Sequence, residues 1–142
     1  MTKKIFKSNI LVAAAVLIFG IACVMAILYQ HFGKQINTEL KKEATYLVYG
    51  VEENGIDYLK QIKEKDDRIT YIAEDGTVLY DSRRDADILK NHGNRKEVRE
   101  ALSKGEGADV RKSETVGKDM YYYALLLNDG TVLRVSKSID NL

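Results

Sequence analysis

Some residue types are absent or scarce in this chain of 142 residues. It contains no proline, one cysteine and two histidines. The absence of proline excludes a rigid proline-rich linker. The single cysteine, Cys23, lies within an apolar stretch. The rest of the chain therefore forms no disulfide and no cysteine-based zinc site, and it offers no thiol nucleophile.

The charge balance excludes nucleic acid as a partner. There are 22 basic and 21 acidic residues, and three of the basic ones, Lys3, Lys4 and Lys7, precede the apolar stretch. Without those three, 19 basic residues face 21 acidic ones, which gives the remainder a formal charge of −2. A mildly acidic domain lacks the basic surface that binding to DNA or RNA requires.

Residues 10–29 form an apolar stretch of twenty residues without a charge. A helix of this length covers ~30 Å, the thickness of the hydrocarbon core of a lipid bilayer. We predict a transmembrane helix over residues 10–29, and the lysines before it place residues 1–9 in the cytoplasm. A cleaved signal peptide would have a shorter apolar segment. A lipoprotein cleaved before Cys23 fits less well, because six apolar residues follow that cysteine.

A helical pattern continues after the apolar stretch, over residues 30–53. Apolar residues recur there every three or four positions, which is typical of a helix with one buried face. They are Ile36, Leu40, Ala44, Leu47 and Val51. We expect the stripe to cover the core of the domain, and its N-terminal half to face a second copy in a homodimer. Ile36, Leu40 and Leu47 are the residues predicted to act in dimerisation and signalling.

The pattern over residues 54–138 predicts a small α+β domain. Strands are predicted at residues 68–73, 78–81, 107–115, 121–127 and 132–136, with Asp-Gly turns at Asp75-Gly76 and Asp129-Gly130. A short helix is predicted at residues 56–63. A second helix begins at a capping box of Asn94 and Glu97 and ends at Gly105. The expected fold is an antiparallel sheet of about five strands with helices on one face.

The connecting segments are expected to be turns. Residues 63–67 are charged and read as a solvated turn, and residues 116–119 read as a turn between strands. Residues 139–142 are expected to begin the connection to a second transmembrane helix.

Several strings make the sequence similar to a known family. They are residues 75–82 (DGTVLYDS), Asn91-His92 with Arg95, Glu97 and Val98, and residues 129–136 (DGTVLRVS). They resemble the extracytoplasmic PAS-like domains, also called single Cache domains, of bacterial sensor histidine kinases. The resemblance is strongest to the phosphate-regulon type of Gram-positive bacteria, and the order and spacing are kept over residues 68–137.

The resemblance implies the signal-input segment of a two-component sensor histidine kinase in a bacterial cell membrane. The domain would lie outside the cell, on one membrane helix in this chain and two in the parent. The histidine kinase core and its contact with a response regulator would belong to that parent. His31 and His92 are not in a phospho-acceptor context, so we expect no enzyme activity, cofactor or metal in these residues.

Two other functions stay open at this point. The domain either binds a membrane or cell-wall protein without a small ligand, or it serves a chemoreceptor or a cyclase. Enzyme activity in these residues themselves has little support, since no nucleophile is paired with a base at any spacing.

Some residues are candidates for binding a small ligand. They are Asp81, Ser82, Arg83, His92, Arg95, Arg111 and Tyr123. Each also has a structural interpretation. Asp81 and Ser82 suit a cap of the following turn, Arg83 and Arg84 either bind an anion or are solvated, and Arg95 suits an ion pair with Asp81. Tyr121 and Tyr123 share one face of a strand and Tyr122 takes the other.

Overall fold

The computed structural model describes residues 2–62, 67–112 and 119–138. It divides into two compact units, one up to Gln35 and one from Ile36. Some predicted features lie outside the described residues: most of the charged turn, the end of the third strand with the turn after it, and residues 139–142.

The first unit is entirely helical and belongs to helix α1, which spans Thr2–Asn54. Residues 10–29 lie within it with exposed side chains. By length and composition alone, this helix is long and apolar enough to cross a membrane. It fits the expected membrane anchor.

The second unit contains a five-stranded sheet. The strands are β1 (Arg68–Ile72), β2 (Val78–Asp81), β3 (Glu106–Lys112), β4 (Asp119–Leu126) and β5 (Val132–Ser138). Their order is β2-β1-β5-β4-β3, and every neighbouring pair is antiparallel. Helix α2 (Asp57–Gln61) precedes the sheet, and a 3-10 helix (Ala86–Ile88) and helix α3 (Lys96–Lys104) lie between β2 and β3. The α+β prediction is confirmed.

The apolar stripe of α1 packs on one face of the sheet. Ile36, Leu40 and Leu47 are buried in one cluster with Leu59 of α2 and the inward side chains of β1, β4 and β5. The cluster lies within the chain itself. Ile36 and Leu40 are therefore not available to a partner, and the expectation that this half of the stripe faces a second copy is corrected.

Helix α3 covers part of the opposite face. Val98 and Ala101 form a small buried cluster with Ile72, Ala124 and Val132. This face is apolar only at the end of the strands where α3 packs. Polar side chains fill the rest of it.

The N-terminus of α3 differs from the prediction. The first helical residue is Lys96, and Arg95 before it makes no side-chain capping hydrogen bond. The capping box of Asn94 and Glu97 is therefore wrong, because the Glu97 carboxylate turns to arginines of the sheet instead. The end of the helix is confirmed at Gly105, which has a φ of 94°.

Candidate functional site

A cavity of about 200 Å³ opens on the sheet face opposite α1. We call it the arginine pocket. It is lined by Arg68, Arg84, Leu89, His92, Arg95, Arg111, Tyr122 and Arg134. Five of these eight residues are arginines and none is acidic, so the wall of the cavity is strongly cationic.

The register of the sheet builds the floor of the arginine pocket. Thr70 of β1 lies directly opposite Arg134 of β5 on one side and Asp81 of β2 on the other. Residues directly opposite in an antiparallel pair share a face. Arg68 lies opposite Ser136, which places its side chain on the same face. The alternation of the strands therefore collects these polar groups beneath the cavity.

Asp81 anchors one side of this floor. Its carboxylate accepts hydrogen bonds from Arg68 Nε at 2.9 and 3.1 Å and from the Thr70 hydroxyl at 2.9 Å. It also accepts from the backbone N–H groups of Arg83 and Arg84 at 2.9 and 3.0 Å. Burial alone would raise the pKa of Asp81, but these hydrogen bonds and the charge of Arg68 outweigh burial and lower it. Asp81 therefore holds Arg68 and the turn that carries Arg84.

Glu97 anchors the other side from α3. Its side chain is 0% exposed, and it accepts from Arg111 at 2.5 and 2.8 Å and from Arg134 Nη1 at 3.1 Å. Burial would raise the pKa of Glu97, but these donors lower it. A carboxylate that accepts hydrogen bonds from two arginines fixes both guanidinium groups at the cavity wall.

Tyr122 completes the wall between the two arginines. The guanidinium carbon of Arg111 lies 3.8 Å from the ring centroid, and that of Arg134 lies 5.0 Å from it. The predicted alternation of the three tyrosines is confirmed. Tyr121 and Tyr123 are buried in the core with α1, and the Tyr123 hydroxyl donates to Glu106. Tyr123 therefore lies away from the arginine pocket.

A loop after the 3-10 helix carries His92 and Arg95. The Asn91 side chain donates to the Asp75 carbonyl at 2.9 Å, and the His92 N–H donates to the Gly76 carbonyl at 2.9 Å. Asn91 and His92 therefore bond the backbone of the β1–β2 turn. His92 is 6% exposed, and burial together with the charges of Arg134 and Arg95 lowers its pKa. The β1–β2 turn thus positions the roof of the cavity.

The contact of Gly76 with this loop gives a prediction. Gly76 has a φ of 91°, and a Cβ on it would lie 2.2 Å from Asn91 Oδ1 and 2.6 Å from Gly93 N. Gly105 has a φ of 94° and nothing within 4 Å of its Cβ position. We expect Gly105→Ala to cost about 1–2 kcal/mol of unfolding free energy for the left-handed backbone. Gly76→Ala should cost at least ~1 kcal/mol more, because the loop must move.

Thermal unfolding of the whole chain in detergent, followed by circular dichroism, measures both substitutions. Since the two glycines share nearly the same φ, the difference between the variants isolates the loop contact. Equal losses would contradict the inference that Gly76 supports the roof.

Two buried nitrogens at the arginine pocket lack a hydrogen-bond partner among the described residues. They are His92 Nδ1 and Arg134 Nε. Arg134 is 3% exposed, and burial lowers its pKa despite the nearby Glu97. Buried polar groups are nearly always paired, but both nitrogens are closed to water and lie beside the cavity rather than on its surface.

The structure brings together only some of the candidate residues. His92, Arg95 and Arg111 line the arginine pocket, and Asp81 lies beneath it. Arg83 donates its backbone N–H to Asp81, and the Ser82 hydroxyl accepts from the Ile69 N–H at 2.9 Å, so Ser82 joins β1 rather than the cavity. The expected pair of Arg95 with Asp81 is corrected, because Asp81 pairs with Arg68.

The sequence interpretation missed Arg68, Tyr122, Arg134 and the role of Glu97. Arg111 and Arg134 both lie on strands, but the carboxylate that they share comes from α3. One signal was present. Arg134 stands between Leu133 and Val135 in the central strand, where a charged residue needs a buried partner.

Among the described residues, no group of three or more His, Cys, Asp or Glu side chains is arranged to hold a metal ion. The chemistry of the arginine pocket is that of hydrogen-bond donation and positive charge. Arginine presents paired donors that match the oxygens of anions.

A known family matches most of the chain. The sequence model described as "Single Cache-like" matches residues 30–133. No curated protein sequence matches the chain.

Three solved structures are similar to this chain at low identity. The Bacillus subtilis YkuI protein, which has an EAL domain, is 18% identical over 76% of this chain, with a TM-score of 0.48. The extracellular domain of rpHK1S-Z16, a protein classed as a histidine kinase, is 17% identical over 63% of this chain, with a TM-score of 0.43. A Cache chemosensory domain studied for carboxylic acid recognition is 16% identical over 80%, with a TM-score of 0.49.

These structures differ in how much of their own length is matched. The chain covers 32% of the YkuI chain, 38% of the rpHK1S-Z16 chain and 97% of the chemosensory domain.

Proposed function

The chain belongs to the single Cache-like family, and on that premise we propose that it is the signal-input segment of a membrane-bound sensor histidine kinase. The cue would be a small anionic ligand held in the arginine pocket outside the cell. The kinase core, and with it the contact to a response regulator, would belong to a longer parent protein. A homodimer and an anchor in the lipid bilayer are parts of the same proposal.

The observation that carries this proposal is the lining of the cavity. Five arginines surround about 200 Å³, and none of the described acidic residues lines it. Two arginines, Arg84 and Arg95, have no ion pair within the described part of the chain. Holding several cations close together costs free energy unless an anion joins them. A protein–protein role alone gives no reason for such a cavity.

Helix α1 supports the second half of the proposal, the transfer of the signal. Ile36, Leu40 and Leu47 pack on the sheet, and the same helix contains the apolar residues 10–29. A ligand that binds one packing of the sheet on α1 more tightly than another would shift the balance between them. The output would then be a displacement of a helix that enters the membrane.

A binding experiment tests the ligand half of the proposal. The double variant Arg84→Gln/Arg95→Gln should bind small anions at least about tenfold more weakly than the wild type, because each charged hydrogen bond contributes roughly 1.5–3 kcal/mol. Its melting temperature without ligand should stay the same or rise slightly, since both side chains are exposed without a partner in the described residues and their removal relieves repulsion between the arginines. Isothermal titration of the whole chain in lipid nanodiscs measures the affinity.

Lys90→Gln is the matched control, because Lys90 is an exposed cation in the same loop that does not line the arginine pocket. An equal loss of anion affinity in Lys90→Gln would indicate a general attraction of anions to surface charge rather than binding in the arginine pocket. Unchanged affinity in the double variant would remove the pocket from the proposal.

The sensor role has its own test. Residues 1–142 are joined to the second membrane helix and core of a histidine kinase, in a series of junctions that differ by one residue. Autophosphorylation in vesicles should change when a binding anion is added, and the double variant should abolish that change. If an anion binds but no junction responds, the sensor role is contradicted while the binding site remains.

A further inference from the structure

We propose that the arginine pocket selects a tetrahedral oxyanion that carries two negative charges. This inference rests on the proposed function and names the ligand class of its site. It follows from the charge and the size of the cavity and from the placement of its arginines.

The charge of the cluster indicates a dianion. Within the described residues, five arginines line the cavity and three carboxylates pair with them: Asp81, Glu97 and Asp109. Five positive charges against three negative ones leave two positive charges. The domain outside the membrane is acidic as a whole, so this surplus is local to the arginine pocket. A ligand with two negative charges would balance it.

The size of the cavity indicates a compact ligand. Its volume of about 200 Å³ is below the roughly 300–1,000 Å³ of sites for drug-sized molecules. Leu89 is the only aliphatic residue in the lining, and the Tyr122 ring is stacked by Arg111. The wall therefore has little apolar surface to cover a carbon chain.

The arginines come from two parts of the fold. Arg68, Arg111 and Arg134 belong to strands, whereas Arg84 and Arg95 belong to the segment between β2 and α3. A tetrahedral ion has oxygens in several directions and can meet both groups at once. A single carboxylate has oxygens on one side of its carbon only.

The bonding of the arginines shows which of them have donors to spare. Arg134 is 3% exposed and bonds Glu97 and Thr70 through its terminal nitrogens, so it contributes mainly charge to the cavity. Arg84 and Arg95 are exposed and have no ion pair among the described residues. An oxyanion in the cavity offers acceptor oxygens to these two guanidinium groups.

The experiment uses probes that separate charge from shape. Sulfate is tetrahedral with two charges. Methanesulfonate replaces one oxygen by a methyl group and has one charge, and malonate has two charges on two carboxylates. Isothermal titration of the whole chain in nanodiscs, at constant ionic strength, should give sulfate and inorganic phosphate dissociation constants at least about tenfold below those of the other two probes.

Glycerol 3-phosphate tests whether the natural ligand is a free ion or the phosphate group of a lipid headgroup. It should bind more weakly than inorganic phosphate, because its glycerol part exceeds the small cavity. Sulfate also stabilises proteins by exclusion from their surface. Only binding that Arg84→Gln/Arg95→Gln weakens is therefore assigned to the arginine pocket.

Two other outcomes decide against this inference. Malonate at equal affinity would make the site a carboxylate site, and methanesulfonate at equal affinity would contradict the charge balance. Tighter binding of glycerol 3-phosphate would support a tetrahedral dianion and identify its source as a headgroup rather than a free ion. In these three cases an anion still binds, so the proposed function survives. Binding of no anion, with no response of the fused kinase, would overturn both.

Discussion

Glu97→Gln should destabilise the domain by about 3–5 kcal/mol, the usual cost of removing one partner from a buried ion pair. The Glu97 side chain is 0% exposed and joins Arg111 to Arg134, which is itself 3% exposed. Glutamine keeps the size of the side chain but removes the charge, so Arg134 is left without its only ion-pair partner among the described residues.

The measurement is thermal unfolding of the whole chain in detergent. For a domain of this size the expected loss lowers the melting temperature by roughly 10 °C or more. Glu100→Gln on the same helix is the control. Glu100 makes only a partly exposed pair with Lys96 at 3.8 Å, so its loss should cost less than ~1 kcal/mol. Equal stability of the two variants would show that the arginines do not depend on Glu97.

The effect should depend on pH in a definite direction. The pKa of Glu97 is lowered in the folded state, so its contribution to stability is present above the unfolded pKa of about 4.3. It is lost as the pH falls through the lower folded pKa. The difference in unfolding free energy between the wild type and Glu97→Gln should therefore be largest above about pH 5 and shrink below pH ~4. A gap that widens in acid would contradict the assignment.

An oxyanion should also rescue this variant. Removing one negative charge raises the local surplus of positive charge, so sulfate should raise the melting temperature of Glu97→Gln more than that of the wild type. A smaller rise in the variant would indicate that Glu97 is needed to shape the ligand site as well as to balance its charge.

Leu40→Ala should cost about 2–5 kcal/mol, the range for truncating a buried leucine. Leu40 is 0% exposed and belongs to the cluster that joins α1 to the sheet. Tyr46→Ala removes a larger side chain from the same helix, but Tyr46 is 74% exposed. It should change stability by less than ~0.5 kcal/mol.

Denaturant titration of the two variants in detergent measures this difference, and Leu40→Met serves as a second control. Methionine nearly conserves the volume and should cost less than about 1.5 kcal/mol. If Leu40→Ala were as stable as Tyr46→Ala, then α1 would not depend on the sheet for its packing. The proposed route of the signal would then lose its physical basis.

The fold was largely predictable because its signals are local. Strand β2 matches its predicted bounds of residues 78–81, and the positive φ values of Gly76 and Gly130 match the predicted turns. The stripe of α1 was also visible as a period. The surface that covers this stripe was not predictable, because a buried helix face has the same pattern whether a sheet or a second chain packs on it.

The site was less predictable because its groups come together only through the register of the sheet. Thr70 and Arg134 are 64 residues apart in sequence, and Arg134 meets a carboxylate of α3. The formal charge of −2 that remains without Lys3, Lys4 and Lys7 gave no sign of attraction for anions, but a net charge does not report where the charges lie. Asp81 and Glu97 hold several arginines at one cavity, and these two carboxylates do not balance the positive charge there.

Alternate residues of strand β5 lie on opposite faces of the sheet, one at the arginine pocket and one against α1. Arg134 lies at the arginine pocket, while its neighbours Leu133 and Val135 lie in the cluster with α1. A change at Arg134 therefore alters the wall of the pocket, whereas a change at Leu133 or Val135 alters the contact with α1. The wall of the cavity and the surface that holds the helix can vary separately, although they share one strand.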